Sequence, residues 1–80
     1  MWVKISVQLK SGILDPQGKA VAGALAELGF DVDAVRVGKE IIVDIPAENG
    51  EAALEQGRRM AAKLLANPVT EDYHCQLMEA

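Results

Sequence analysis

The chain has 80 residues, of which 50% are hydrophobic and 25% charged, and its formal net charge is −4. This length predicts one domain over residues 1–80, and the acidic balance with scattered Lys and Arg opposes nucleic-acid binding, which needs a basic surface. A single cysteine cannot form an intramolecular disulfide, and no apolar run approaches the ~20 residues of a membrane span. We therefore expect a cytoplasmic protein that binds neither nucleic acid nor membrane.

The N-terminal third predicts a strand followed by a helix. Apolar residues alternate with polar ones from Val3 to Leu9, which is typical of a half-buried strand. Asp15 suits the N-cap of a helix, and Pro16 suits the first helical position because it has no N–H to leave unpaired. Apolar residues then recur at helical spacing as far as Leu28, and Gly29 suits a left-handed C-cap.

The middle of the chain predicts two strands joined by a tight turn. Residues Val32 to Val37 alternate as a short second strand, and Gly38-Lys39 suits a two-residue hairpin turn because glycine tolerates positive φ. Residues Glu40 to Ile45 form the expected third strand. This part of the chain therefore predicts a β-hairpin.

The C-terminal half predicts a second helix and a last strand. Asn49 can cap the helix, and Asn67-Pro68 ends it. Thr70 to Met78 form the expected strand, with alternate residues on its apolar face. The order β-α-β-β-α-β predicts an α+β ferredoxin-like plait, in which a four-stranded, mainly antiparallel sheet carries both helices on one face. Its expected core is Val3, Ile5, Val7, Leu9, Leu25, Leu28, Val35, Val37, Ile41, Val43, Leu64, Tyr73 and Leu77.

The sequence lacks a catalytic constellation. Gly12 and Gly18-Lys19 lie between strand and helix, where a phosphate-binding loop could occur. Such a loop needs four residues between the glycines and Ser or Thr after the lysine, and this segment matches neither requirement. His74 and Cys75 are adjacent in a strand, so their side chains should point to opposite faces. No residues supply a nucleophile, a base and oxyanion donors together. We expect no catalytic, cofactor-binding or metal-binding residues in this chain.

Two polar segments are the best candidates for contacts with a partner protein. One is the turn at the start of the first helix, and the other is the basic tip expected between the second and third strands. Both should project from rigid elements, where functional loops are often found. The candidate interface residues are Leu14, Asp15, Pro16, Gln17, Gly18, Lys19, Arg36, Gly38 and Lys39.

Four stretches of the chain stand out together, in this order: LKSGILDPQGKAV (9–21), LGF (28–30), VRVGKEI (35–41) and LLANPVTEDY (64–73). Together they resemble one protein family, PurS, the small subunit of phosphoribosylformylglycinamidine (FGAM) synthase. The resemblance implies a PurS-like plait and a role in purine biosynthesis. It further implies a non-catalytic subunit that bridges a large synthetase subunit and a glutaminase subunit and supports ammonia transfer between them.

In such a complex, the partner subunits would use ATP, Mg and glutamine, and this chain would bind no cofactor. The resemblance is also consistent with a homodimer, which could pair into a dimer of dimers. A small core without disulfides favours oligomerisation on physical grounds too. Two other classes remain open: an ACT-like regulatory module, which shares the element order and needs a small-molecule pocket, and a small hydrolase.

Overall fold

A computed structural model describes residues 1–78, so the predicted domain over residues 1–80 includes two residues outside this range. The elements in chain order are β1 (Trp2–Leu9), α1 (Pro16–Glu27), β2 (Lys39–Asp44), α2 (Gly50–Met60) with a π-helical turn (Ala61–Leu65), and β3 (Glu71–Leu77). The strands form one antiparallel sheet in the order β2-β1-β3. The predicted α+β class with two helices is confirmed.

The sheet has two distinct faces, set by the alternation along β1. Val3, Ile5 and Val7 are almost fully buried on the face that α2 covers. Val3 pairs with Val43 and Leu77, and Ile5 pairs with Ile41 and Cys75, so the predicted phase of all three strands is correct. The opposite face carries polar partners such as Ser6, which pairs with Glu40 and His74.

The predicted second strand at Val32–Val37 and hairpin turn at Gly38-Lys39 are wrong for the described residues, so the sheet lacks one of the four predicted strands. Residues 30–38 have irregular structure, and the sheet has three strands. A Cβ on Gly38 would lie 2.6 Å from the Val7 carbonyl oxygen, so Gly38 lies beside β1, in line with β2. The chain therefore does not reverse at Gly38. Without a reversal, the segment cannot lie back along β2 and pair with it.

The prediction that both helices cover the sheet is wrong for α1. Among residues Pro16–Glu27 only Gly18 is buried, so α1 projects from the sheet instead of packing along it. In contrast, α2 packs closely over β1 and β3. Gly57 permits this approach, because a Cβ on it would lie 3.1 Å from Val3 Cγ1 and 3.6 Å from Cys75 Sγ.

The projecting helix explains why several expected core residues are exposed. Leu28 is 75% exposed, and Leu64, at the π-helical turn, is 83% exposed. Tyr73 and Leu77 lie on the predicted face of β3 yet remain partly exposed, because only α2 covers that face. Within residues 1–78, the buried hydrophobic residues are Val3, Ile5 and Val7, as predicted, together with Ile45, Ala53, Ala61 and Ala66.

The predicted helix ends are confirmed. The Asn49 side chain accepts a hydrogen bond from Ala52 N at 2.9 Å and caps α2. Asp15 caps α1, and Gly29 has φ of +94° directly after the helix ends, as a left-handed C-cap requires. Within residues 1–78, no helix combines the length and apolar character needed to cross a membrane.

Candidate partner-docking surface

The structure brings the two predicted interface segments into direct contact. The turn at residues 14–19 begins α1, and residues 36–39 lead into β2, more than fifteen positions later in the chain. They meet beside the end of β1, where a cavity of about 230 Å³ is lined by residues of both, including Pro16, Gln17 and Lys39. Leu14, Lys19 and Arg36 line a neighbouring cavity of about 430 Å³, and Asp15 borders both cavities. The candidate residues therefore lie close together around two adjoining cavities.

Asp15 joins the two segments through its two carboxylate oxygens. Oδ1 accepts a hydrogen bond from Gly18 N at 2.8 Å, and Oδ2 accepts one from Val37 N, also at 2.8 Å. Asp15 is only 6% exposed. These N–H donors, Val37 first and then Gly18, hold the pKa of Asp15 below its ordinary value, with help from the charge of Arg36 and against the effect of burial. The carboxylate therefore stays ionised at neutral pH.

Arg36 binds the loop that joins β1 to α1. Its Nη1 donates to the Ile13 carbonyl oxygen, and its Nη2 donates to the carbonyl oxygens of Leu9 and Lys10, each at 3.1 Å. The planar guanidinium suits this use because it presents several donors in a fixed fork. Arg36 therefore contributes to the fold as well as to surface charge, which the sequence did not indicate.

Gly18 allows the same two segments to approach closely. A Cβ on Gly18 would overlap with the Val35 carbonyl oxygen and would lie 3.0 Å from the carboxyl group of Asp15. A side chain at this position would therefore push α1 and the 35–37 segment apart. The glycine is explained by this contact and not by a phosphate-binding loop.

The remaining candidate residues are available to a partner. Leu14 is 69% exposed, and Pro16, Gln17, Lys19 and Lys39 are also exposed. The surface thus presents an apolar side chain, polar groups and lysines around the buried Asp15. A mixture of exposed apolar and polar groups is typical of surfaces that contact other proteins.

The described residues supply no alternative catalytic or metal site. His74 pairs with Ser6 and Cys75 with Ile5, so the two side chains lie on opposite faces of the sheet as predicted. Burial raises the pKa of the Cys75 thiol, which opposes the thiolate that a nucleophile requires. No cluster of three or more His, Cys, Asp or Glu side chains within residues 1–78 could hold a metal ion.

A second surface was not anticipated from the sequence. An open cavity of about 420 Å³ lies beside α2 and its π-helical turn, with an apolar floor and two basic residues at its rim. Its lining includes Val43, Met60, Leu64, Leu65, Arg59 and Lys63. Val43 and Leu64 were predicted as core residues, because no local pattern indicates that this part of the molecule stays uncovered.

Known proteins similar to this chain all point to one family. The profile named PurS, described as "Phosphoribosylformylglycinamidine (FGAM) synthase", matches residues 2–79. The Methanocaldococcus jannaschii protein named phosphoribosylformylglycinamidine synthase subunit PurS is 39% identical over 74 residues, which cover 91% of this chain and 89% of that protein.

Two solved structures from Thermotoga maritima extend the similarity to the fold. The purS subunit of phosphoribosylformylglycinamidine synthase has a TM-score of 0.90 at 36% identity, and the match covers 96% of this chain and 90% of that one. A chain in the structure of PurLQS has a TM-score of 0.85 at 34% identity, with 98% and 99% covered. These similarities support the interpretation as a synthase subunit and do not support an ACT-like module. The chain belongs to the PurS family of phosphoribosylformylglycinamidine synthase.

Proposed function

We propose that this chain is the non-catalytic small subunit of FGAM synthase and that it bridges the large synthetase subunit and the glutaminase subunit. The observation that carries the proposal is the single surface formed by residues 14–19 and 36–39. Its exposed apolar and basic side chains surround a rigid, hydrogen-bonded centre. The similarity to a chain of PurLQS supports the assignment to a multisubunit enzyme.

The chemistry of the reaction explains why a non-catalytic subunit is needed. The glutaminase releases ammonia from glutamine, and the synthetase uses ATP to activate the amide oxygen of formylglycinamide ribonucleotide. Ammonia then displaces phosphate to give the amidine. Ammonia released away from the second site would escape to solvent, so the two sites must be held in register. ATP, Mg and glutamine are used by the partner subunits in the cytoplasm, and this chain binds none of them.

The bridging unit is a homodimer in this proposal. The radius of gyration is 15.6 Å, whereas a compact chain of this length would have about 12 Å. The accessible surface is 5814 Å², about 1,100 Å² more than a folded monomer of this mass is expected to expose. A stable interface buries roughly 800 Å² per partner, so the excess is enough for one.

The projecting helix is the natural contact with the second copy. One side of α1 and the residues after it are apolar yet exposed, with Val21 41%, Leu28 75% and Phe30 60% accessible. The open apolar cavity beside α2 is large enough to receive such side chains from another protomer. Burial of both surfaces would be favourable by the hydrophobic effect. We therefore propose that α1 and the cavity beside α2 form the dimer interface.

The bridging role is tested by assembling the complex from purified subunits. The large synthetase subunit and the glutaminase subunit are mixed with and without this chain, in the presence of glutamine, and complex size is measured by sedimentation velocity. We expect one species containing all three chains, with this chain present in even copy number. Equal association of the two large subunits without this chain would contradict a bridging role.

A further inference from the structure

Helix α1 makes few contacts with the sheet within residues 1–78, and its closest contacts are at its first turn. Of its residues, Gly18 alone is buried, and the apolar Val21 is 41% exposed. Leu28, which ends the helix, is 75% exposed. Within one protomer, the direction of a helix that does not pack along the sheet depends on the contacts at its base. The first turn of α1 carries hydrogen bonds that can supply this restraint.

Those contacts form a compact junction around Asp15. Its Oδ1 holds Gly18 N inside the helix, and its Oδ2 holds Val37 N in the segment that leads directly into β2. Nearby, Arg36 ties the same segment to the carbonyl oxygen of Ile13, just before the helix. The close approach of Gly18 to the Val35 carbonyl oxygen completes the junction.

The hydrogen bond that the second carboxylate oxygen of Asp15 accepts is not required to cap the helix. An N-cap requires one acceptor, and serine or asparagine caps a helix about as well as aspartate does. The hydrogen bond to Val37 N therefore serves the relation between α1 and the sheet and not the stability of α1 alone. Because the donor is a backbone N–H on the segment entering β2, the bond is anchored to the sheet with little slack.

We infer that Asp15 is a positioning residue: its carboxylate fixes the direction of α1 relative to the sheet and so holds the docking surface in one geometry. The inference rests on the proposed function for its consequence, which is subunit assembly. It does not rest on that function for the geometry of α1, which can be measured in the isolated protein.

The decisive variant is Asp15→Ser, which keeps one oxygen to cap α1 and removes the oxygen that reaches Val37. The matched control is Asn49→Ser, which likewise keeps a capping oxygen but lies at the start of α2, outside the docking surface. Spin labels are placed on cysteines introduced at the exposed positions Glu27 and Glu40, with Cys75 replaced by serine in every protein. Labelled protein is diluted with excess unlabelled protein so that only distances within one protomer are recorded.

We expect a narrow Glu27–Glu40 distance distribution for the parent protein and for Asn49→Ser, and a broader or shifted one for Asp15→Ser. An unchanged distribution in Asp15→Ser would overturn the inference. If that variant fails to fold, Asp15→Asn provides the same test, because its amide keeps one capping oxygen and places an NH₂ group, which cannot accept a hydrogen bond, at the position that meets Val37 N. A narrow, unshifted distribution in Asp15→Asn would then overturn the inference.

The consequence for assembly is measured on the same proteins with the large synthetase and glutaminase subunits. We expect Asp15→Ser to raise the dissociation constant about tenfold, and Asn49→Ser to leave it unchanged. Normal assembly of Asp15→Ser despite a broadened distance would refute the link between α1 direction and docking. If the parent protein does not assemble at all while the distances behave as expected, the proposed function fails and the geometric role of Asp15 stands.

Discussion

Replacing Gly18 with alanine should destabilise the protein, although alanine is the better helix former. Gly18 lies in the first turn of α1, where a Cβ would overlap with the Val35 carbonyl oxygen. That oxygen belongs to the backbone of the segment entering β2, so it cannot move aside as a flexible side chain would. The helix must shift, and the hydrogen bonds of Asp15 to Gly18 and Val37 lengthen with it.

The size of the effect follows from opposing contributions. Alanine favours a helix by ~0.5–1 kcal/mol over glycine. Forcing extra volume into a tight contact costs ~1–3 kcal/mol, and each weakened hydrogen bond costs about 1 kcal/mol. With two weakened hydrogen bonds, the net expectation for Gly18→Ala is a loss of about 2–4 kcal/mol in the free energy of unfolding.

Gly23→Ala is the matched control in the same helix. A Cβ on Gly23 has no neighbour within 4 Å, so only the gain in helix propensity remains, and we expect stabilisation by ~0.5–1 kcal/mol. Thermal unfolding is followed by circular dichroism at one fixed protein concentration, because the Tm of a dimer would depend on concentration. In a domain of this size the two variants should differ in Tm by at least ~10 °C. Equal stabilisation by both substitutions would refute the close packing of α1 against the 35–37 segment.

Further predictions concern the titration, the thiol and the proposed contacts. Because the folded pKa of Asp15 is lowered from 3.8, the stability advantage of the parent protein over Asp15→Asn should be complete above that pH, shrink as the pH falls below it, and vanish below the folded pKa; urea unfolding across this range checks it. Burial raises the pKa of Cys75, so iodoacetamide at about pH 8 should modify it more slowly in the folded protein than in the denatured one. Leu28→Asp should weaken the homodimer in sedimentation equilibrium while the protomer stays folded, because Leu28 is 75% exposed within the protomer; an unchanged dimer would exclude this part of the chain from the interface. Lys39→Glu should weaken assembly with little change in Tm. Arg36→Glu should weaken assembly and also lower Tm, since Arg36 also binds three carbonyl groups.

The features that the sequence predicted well depend on local interactions. The capping contacts of Asp15, Asn49 and Gly29 lie within one helical turn of these residues, and the alternation along β1 directly selects the buried face. The helix and strand positions built on these signals agree with the structure. They needed no knowledge of distant parts of the chain.

The errors concern where segments lie relative to one another. Residues Val32–Val37 have the composition of a strand, but composition does not supply a neighbouring strand, and Gly38 continues into β2 instead of turning. The role of Arg36 was equally hidden, because its acceptors at Leu9, Lys10 and Ile13 lie 23–27 residues earlier. The contact between the candidate interface segments 14–19 and 36–39 likewise depends on the tertiary fold, so no local sequence pattern predicts it.

In the function proposed here, this chain positions two catalytic subunits. Comparing two nitrogen sources tests this role directly. FGAM formation by the large synthetase and glutaminase subunits is measured with glutamine or with ammonium chloride, each with and without this chain. We predict that glutamine-dependent formation requires the chain, whereas saturating ammonia largely removes that requirement. Equal dependence on the chain with both nitrogen sources, or full glutamine-dependent activity in its absence, would contradict the account.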